Sequence, residues 1–279
     1  MKTIALYVND TREHARNFAL TVTTLAHEAG LLVANADGAL TEFDAGARLE
    51  DADLIVTVGG DGTLLRGVRV AVPLDVPILG VNTGRLGFLT EVETSDEGLE
   101  ALRGVFRGDF EIEERLALQC AVNGVGVHFA LNDVVVRRGA QARMVPFGLT
   151  LDGEEIAHIP SDGVIISTPT GSTGYFLSAG GPIISPNVDA FGIGALLPHT
   201  LFARPLIVPT SSVVAISCDA EIVNANLETD GTVVADLTSG DIVTVSRAPR
   251  PVKFARTRPG TFFRRLEEKL QWGVPIKRG

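Results

Sequence analysis

The stretch DLIVTVGGDGTLLR, residues 53–66, carries an apolar run from Asp53 to Val58 into a glycine-rich turn and then into Leu64-Leu65-Arg66. A strand, a tight turn and a helix start in that order mark the place where open α/β sheets bind ligands. Glycines at 59, 60 and 62 let backbone N–H groups approach phosphate oxygens with no Cβ in the way, and Thr63 can cap the helix behind them. Asp61 would repel phosphate unless it acts on a hydroxyl or a metal. The turn therefore reads either as a phosphate site where a proton is removed or a cation held, or as a plain turn with Asp61 as helix N-cap. A GxxxxGK loop followed by Ser or Thr is absent, and no GxGxxG follows these strands.

Around this turn the first hundred or so residues alternate strands with helix-period segments. Thr3 to Val8, Leu31 to Ala34, Asp53 to Val58 and Pro77 to Val81 are apolar runs of the kind buried in a parallel sheet. After the cap candidates Asn9 and Asp10, Ala15, Phe18, Ala19, Val22, Leu25 and Ala26 recur at helical spacing up to Gly30. A Rossmann-like α/β domain is expected over residues 1–108.

From about residue 110 the pattern changes. Leu116, Leu118, Cys120 and Val122 alternate with other residues and run into Asn123-Gly124, a strong hairpin turn, and a second hairpin centres on Asp152-Gly153 within Phe147 to Ile159. Further β-rich segments at Gly163 to Ser167, Val213 to Cys218 and Ile242 to Val245 make 109–250 a β-sandwich-type domain. Pro249 to Pro259 is the most linker-like segment, and Thr261 to Trp272 is an amphipathic helix capped by Gly273. Residues 251–279 are thus expected to return to the α/β domain.

The formal net charge of −10 disfavours nucleic acid as a partner, because phosphate-backbone affinity rests on clustered Lys and Arg. Cys120 and Cys218, the 2 cysteines, each sit alone in an apolar run, with neither a disulfide framework nor zinc spacing, and a cytoplasmic setting is expected. MKTIALYVND reads as a first strand rather than a signal peptide, and no run of about eighteen apolar residues suggests a membrane span. The 5 histidines show no metal-ligand spacing. Exposed sheet edges in a β domain make self-assembly, as homodimer or homotetramer, an expectation.

Asp162-Gly163-Val164-Ile165-Ile166-Ser167-Thr168-Pro169-Thr170-Gly171-Ser172-Thr173-Gly174-Tyr175 closely resembles the hallmark segment of the NAD kinase family. GGDGT resembles that family's first motif, Asn132-Asp133 looks like its Asn-Glu or Asn-Asp pair, and NTGRLGFLT at 82–90 looks like its Leu-Gly-Phe loop. The resemblance runs nearly end to end.

It implies transfer of a phosphoryl group from ATP, or another phosphate donor, with Mg²⁺ or another divalent cation, to the 2′-hydroxyl of the adenosine ribose of NAD. In that reading Asp61 is the general base or hydroxyl-orienting group, with Gly60, Gly62 and Thr63 around it. Asn132 and Asp133 read adenine and ribose, Asp162 accepts from the nicotinamide amide, and Thr173, Gly174, Tyr175 and Ser178 line the dinucleotide pocket. The active site is expected between the two domains. Arg143 either neutralises a phosphate or is a solvated loop arginine; Phe88 either walls the adenine or belongs to the core. Gly174 stands where the family usually has Ala, and Asp230-Gly231-Thr232 resembles a late Asp-Gly-Gln element with Thr for Gln, in itself a turn. Two rivals remain: a lipid kinase with a GGDGT loop, which would call for a basic membrane face, and a dinucleotide sensor without turnover.

Overall fold

The computed structural model describes residues 1–37, 43–84, 87–139, 145–200, 203–218, 225–258 and 262–273. The chain divides into two compact units, Met1–Glu114 with Val252–Gly279, and Arg115–Pro251. In the first, β1 (Thr3–Val8), β2 (Leu32–Asn35), β3 (Leu54–Gly59) and β4 (Ile78–Asn82) pair in parallel, joined by α1 (Glu13–Glu28) and α2 (Asp61–Leu74). β3 and β4 are buried at every position, which is why they appear in sequence as unbroken apolar runs. After β5 (Val92–Glu93) comes α3 (Asp96–Arg107), where Ser95 accepts from the Gly98 N–H and Gly108 ends the helix at φ 98°. β6 (Glu111–Arg115) ends this stretch. The cap of α1 is Arg12, not Asn9 or Asp10.

The second unit is a β-sandwich. One six-stranded sheet is built from β7 (Leu118–Val122), β8 (Val125–Ala130), β10 (Val145–Leu151), β11 (Glu154–Ser161), β15 (Val214–Cys218) and β18 (Ile242–Arg247). The other holds β9 (Asp133–Arg138), β12 (Gly163–Ser167), β13 (Ala190–Leu196), β14 (Leu206–Pro209), β16 (Ala225–Thr229) and β17 (Thr232–Leu237). Both expected hairpins form, with Asn123 and Gly124 at φ 51° and 75° and Asp152 and Gly153 at 51° and 87°, the left-handed pairs that a tight antiparallel turn needs. Leu118, Cys120, Phe147, Ile216 and Val243 from one sheet and Val134, Val136, Val164, Ile166 and Leu227 from the other fill one core. The outer face of the second sheet is also covered: α4 (Tyr175–Ser178) drops Phe176 onto Val135, Ile165 and Leu196.

The chain then re-enters the first sheet. Residues 249–259 are not simply a linker: within them β19 (Val252–Arg256) lies parallel to β4, Phe254 opposite Ile78, in the strand order β2-β1-β3-β4-β19-β6. A five-residue strand flanked by Pro and Arg has too little periodicity to announce itself, and burial in the sheet defines it. The amphipathic helix follows as α5 (Phe262–Leu270), burying Arg265 and Leu266.

Candidate active-site residues

The β3–α2 turn forms as its sequence suggests, with one exchange of roles. Gly60, not Thr63 or Asp61, is the N-cap, at φ −109°, and Thr63 is buried in the first helical turn beneath Gly59. The space where a Cβ would stand is open at Gly60 and Gly62, so both backbones can be approached closely. Asp61, the first helical residue, turns its carboxylate away from its own helix. Oδ1 accepts from the Leu89 and Thr90 N–H groups at 3.1 Å each and from Thr90 Oγ1 at 3.2 Å; Oδ2 accepts from the Phe88 N–H at 2.7 Å. A carboxylate offers about four lone-pair positions, two per oxygen. Oδ1 is thus fully engaged, and Oδ2 keeps one position for a further donor.

The loop at 87–91 closes tightly on that carboxylate, and a side chain at Gly87 would collide with it. Phe88 contributes main chain to the site: its N–H serves Asp61 and its carbonyl accepts from Arg265, while its side chain is half-buried. Behind the loop, Glu91 accepts from Arg256 Nη1 at 3.1 Å and Arg265 Nη2 at 2.8 Å, and Arg256 also donates to the Leu89 carbonyl at 3.0 Å. Burial, with the neighbouring Arg256 charge, lowers the Arg265 pKa. Nothing local in GGDGT indicates these partners. The charged stripe of the last helix was the available signal.

In the second unit the Asn132-Asp133 corner is held from three sides. Asp230, in the β16–β17 turn at φ 49°, accepts from the N–H groups of Leu131, Asn132 and Asp133 at 2.9, 2.7 and 3.2 Å. Thr168 donates its hydroxyl to the Leu131 carbonyl at 2.6 Å and its N–H to the Asn132 carbonyl at 2.9 Å. Gly171 packs so closely on Asn132 that a Cβ would overlap its backbone. Asp230 is therefore more than a turn residue. The hydroxyls of Ser167, Thr168 and Ser172 are spent on internal bonds, so much of the small, hydroxylated run builds the corner rather than facing a ligand.

The Asn132 Oδ1 is buried with no hydrogen-bond partner, an acceptor left to be satisfied by something from outside. Beside it the Asp133 carboxyl is pushed up to about 7, first by burial and then by the charges of Asp230 and Glu228, against a lowering from Arg137.

A cavity of about 660 Å³ in this unit brings together Asp162, Tyr175 and Ser178 with Arg137, Arg138, Asn226 and Glu228. Arg138 pairs with Asp162 at 2.6 Å and holds its carboxyl below the usual range, and Arg137 donates to the Tyr175 hydroxyl at 2.9 Å. Asn132, Asp133, Thr173 and Gly174 are not among the residues lining that cavity. Thr173 donates to the Thr170 carbonyl at 3.3 Å, and Gly174 has φ −105° and ψ −123°, outside the helical and extended regions that alanine favours. Arg143 lies outside the described residues. Among the described residues no group of three or more His, Cys, Asp or Glu side chains could hold a metal ion, and no helix is long and apolar enough to cross a membrane.

Comparison with known proteins adds independent findings. The profile of the ATP-NAD kinase N-terminal domain matches residues 8–110 and that of the ATP-NAD kinase C-terminal domain residues 131–257. The chain is similar to an NAD kinase of Gemmatimonas aurantiaca, 46% identical over 226 residues covering 79% of this chain and 78% of the relative. It is also similar to an NAD kinase of Heliobacterium modesticaldum, 44% identical over 230 residues and 81% of each chain. Among solved structures, a yeast NADH kinase complexed with NADH superposes with a TM-score of 0.90 at 25% identity, covering 100% of this chain and 90% of that one. An NAD kinase from Archaeoglobus fulgidus in complex with ATP gives 0.73 at 26% identity, covering 97% and 99%.

Proposed function

The chain belongs to the ATP-NAD kinase family, and from that membership we propose how its residues divide the work of phosphorylating NAD to NADP with ATP as donor. The observation that carries the assignment is the Asp61 carboxylate, fixed by four donors yet keeping one acceptor position on Oδ2, beside the unobstructed backbones of Gly60 and Gly62. The 2′-hydroxyl of the adenosine ribose donates its hydrogen bond to Oδ2. As its oxygen bonds to the γ-phosphorus and the bond to the ADP leaving group breaks, the proton passes to Asp61. Gly60 and Gly62 present backbone N–H groups to phosphate oxygens, while Thr63, whose N–H donates to the Gly60 carbonyl at 2.9 Å, supports the turn from beneath.

The dinucleotide is read by the second unit. The Asn132 Oδ1 takes a donor from the adenine or ribose, and Asp133 binds a ribose hydroxyl. Asp162 accepts from the nicotinamide amide, Tyr175 and Ser178 line the pocket, and Thr173 and Gly174 form the turn that leads into α4. Phe88 is assigned as an aromatic wall and Arg143 as a phosphate partner. A divalent cation enters with the phosphates of ATP, as magnesium commonly does. It is then part of the substrate, and no residue is assigned to a resident ion. The two buried, unpaired cysteines suit a reducing, cytoplasmic compartment, and a homodimer or homotetramer completes the reading.

Purified protein incubated with Mg²⁺, ATP and NAD is expected to form NADP, followed through an NADP-specific dehydrogenase. A rate equal to the enzyme-free blank would remove the assignment.

A further inference from the structure

Three charged side chains of the first unit are withdrawn from water one loop behind Asp61: Glu91, Arg256 and Arg265 keep only 2%, 4% and 5% of their side-chain surface exposed. Burying charge carries a desolvation cost that ion pairing only partly offsets, so such a cluster is poor evidence for stability and calls for another reason. Its geometry supplies one. The Phe88 carbonyl and the Leu89 N–H belong to a single planar peptide unit, and the chain has no cis peptide among its described residues. Arg265 Nη1 donates to the carbonyl end of that unit while its N–H end donates to Asp61 Oδ1. The next unit repeats the arrangement, with Arg256 on the Leu89 carbonyl and the Thr90 N–H on Asp61 Oδ1. Each rigid plane thus has a buried guanidinium at one end and the reacting carboxylate at the other. Glu91 braces both arginines.

We propose that Arg265 is a positioning residue for phosphoryl transfer: braced by Glu91, it fixes the 88–89 peptide plane and so aims the Asp61 carboxylate at the acceptor hydroxyl. The inference rests on Asp61 being the base. It differs from a tie that merely pins α5 to the sheet, because pinning needs a cation facing Glu91, whereas aiming needs a planar fork that reaches a carboxylate and a carbonyl together.

Arg265→Lys keeps the charge and loses the fork. With both substrates saturating, its kcat is expected to fall about tenfold or more, with KM for NAD within about twofold and the melting temperature near the parent's, since small misplacements of a reacting group are costly. Combined with Asp61→Asn, the same change is expected to cost less than about twofold further, because the group being aimed is gone. Exposed Arg264→Gln, on the same helix, serves as control and leaves kcat unchanged. Should Arg265→Lys not fold, Glu91→Gln, of equal size, is expected to lower kcat about threefold or more by loosening the brace. An undiminished kcat in the folded Lys variant, a loss confined to KM, or a loss of full size on top of Asp61→Asn overturns the proposal. So does an unchanged Glu91→Gln enzyme if that variant has to carry the test. No NADP from the parent protein defeats the assignment of function instead.

Discussion

The loop at 88–90 and the corner at 131–133 use the same device in opposite directions. In each, one aspartate collects the N–H groups of three consecutive residues: Asp61 those of Phe88, Leu89 and Thr90, Asp230 those of Leu131, Asn132 and Asp133. In the proposed function the first carboxylate is the working group with the backbone as its mount, whereas the second carboxylate is the mount and the residues it holds, Asn132 and Asp133, are the proposed binders. Successive N–H groups around an anion make a stable cradle, and on that proposal what differs is which partner faces the substrate.

Removing each carboxylate should separate the two roles. Asp61→Asn is expected to lower kcat about a thousandfold while leaving NAD affinity within a few-fold, since the proton acceptor is lost and the pocket's shape is kept. Asp230→Asn is expected to raise KM for NAD about tenfold with a smaller change in kcat, and to lower stability by about 1–3 kcal/mol as N–H groups lose a charged acceptor. Steady-state kinetics and denaturant unfolding measure both. If the two variants showed the same kcat-to-KM pattern, the contrast between the loops would fail.

A smaller effect follows from Asp133. With its folded pKa raised to about 7 from an ordinary value of 3.8, the folded state holds a proton that the unfolded state has released. The stabilisation is complete below the unfolded value and is lost as pH rises towards and through about 7. Asp133→Asn should flatten the fall in melting temperature between about pH 4 and 7 and remove the pH dependence of NAD affinity near neutrality. A fall as steep as the parent's would show that another group titrates.

The smallest expected effect is at Gly174. A Cβ there would meet only the Gly171 carbonyl oxygen at 3.3 Å, but φ −105° with ψ −123° lies outside the helical and extended regions that a side chain favours. Gly174→Ala should leave activity within about twofold and lower stability by about 1 kcal/mol, backbone strain outweighing the entropy gain in the unfolded chain. A larger loss would mean that the loop needs glycine's freedom.

Much was legible in the sequence wherever the cause was local. The strand-turn-helix at 53–66 and the hairpins at Asn123-Gly124 and Asp152-Gly153 are written in periodicity and turn chemistry, which act over a few residues. Asp61 stands out in the sequence as a carboxylate among glycines, which makes it the candidate base. The place of residues 252–256 was not, because the same short segment can be a linker in water or a strand when neighbours bury it.

What the sequence determined by itself, then, was an α/β segment followed by a β-rich one and a resemblance to the NAD kinase family, with Asp61 and residues 162–178 as the candidate site. Only the tertiary structure decided how they are held. Asp61 finds its donors 27 to 29 residues away, Asp230 reaches back 97 to 99, and Arg265 meets Glu91 across 174. A carboxylate's acceptor positions are the same whichever donors fill them, so sequence names the group while the packing of distant strands selects its partners.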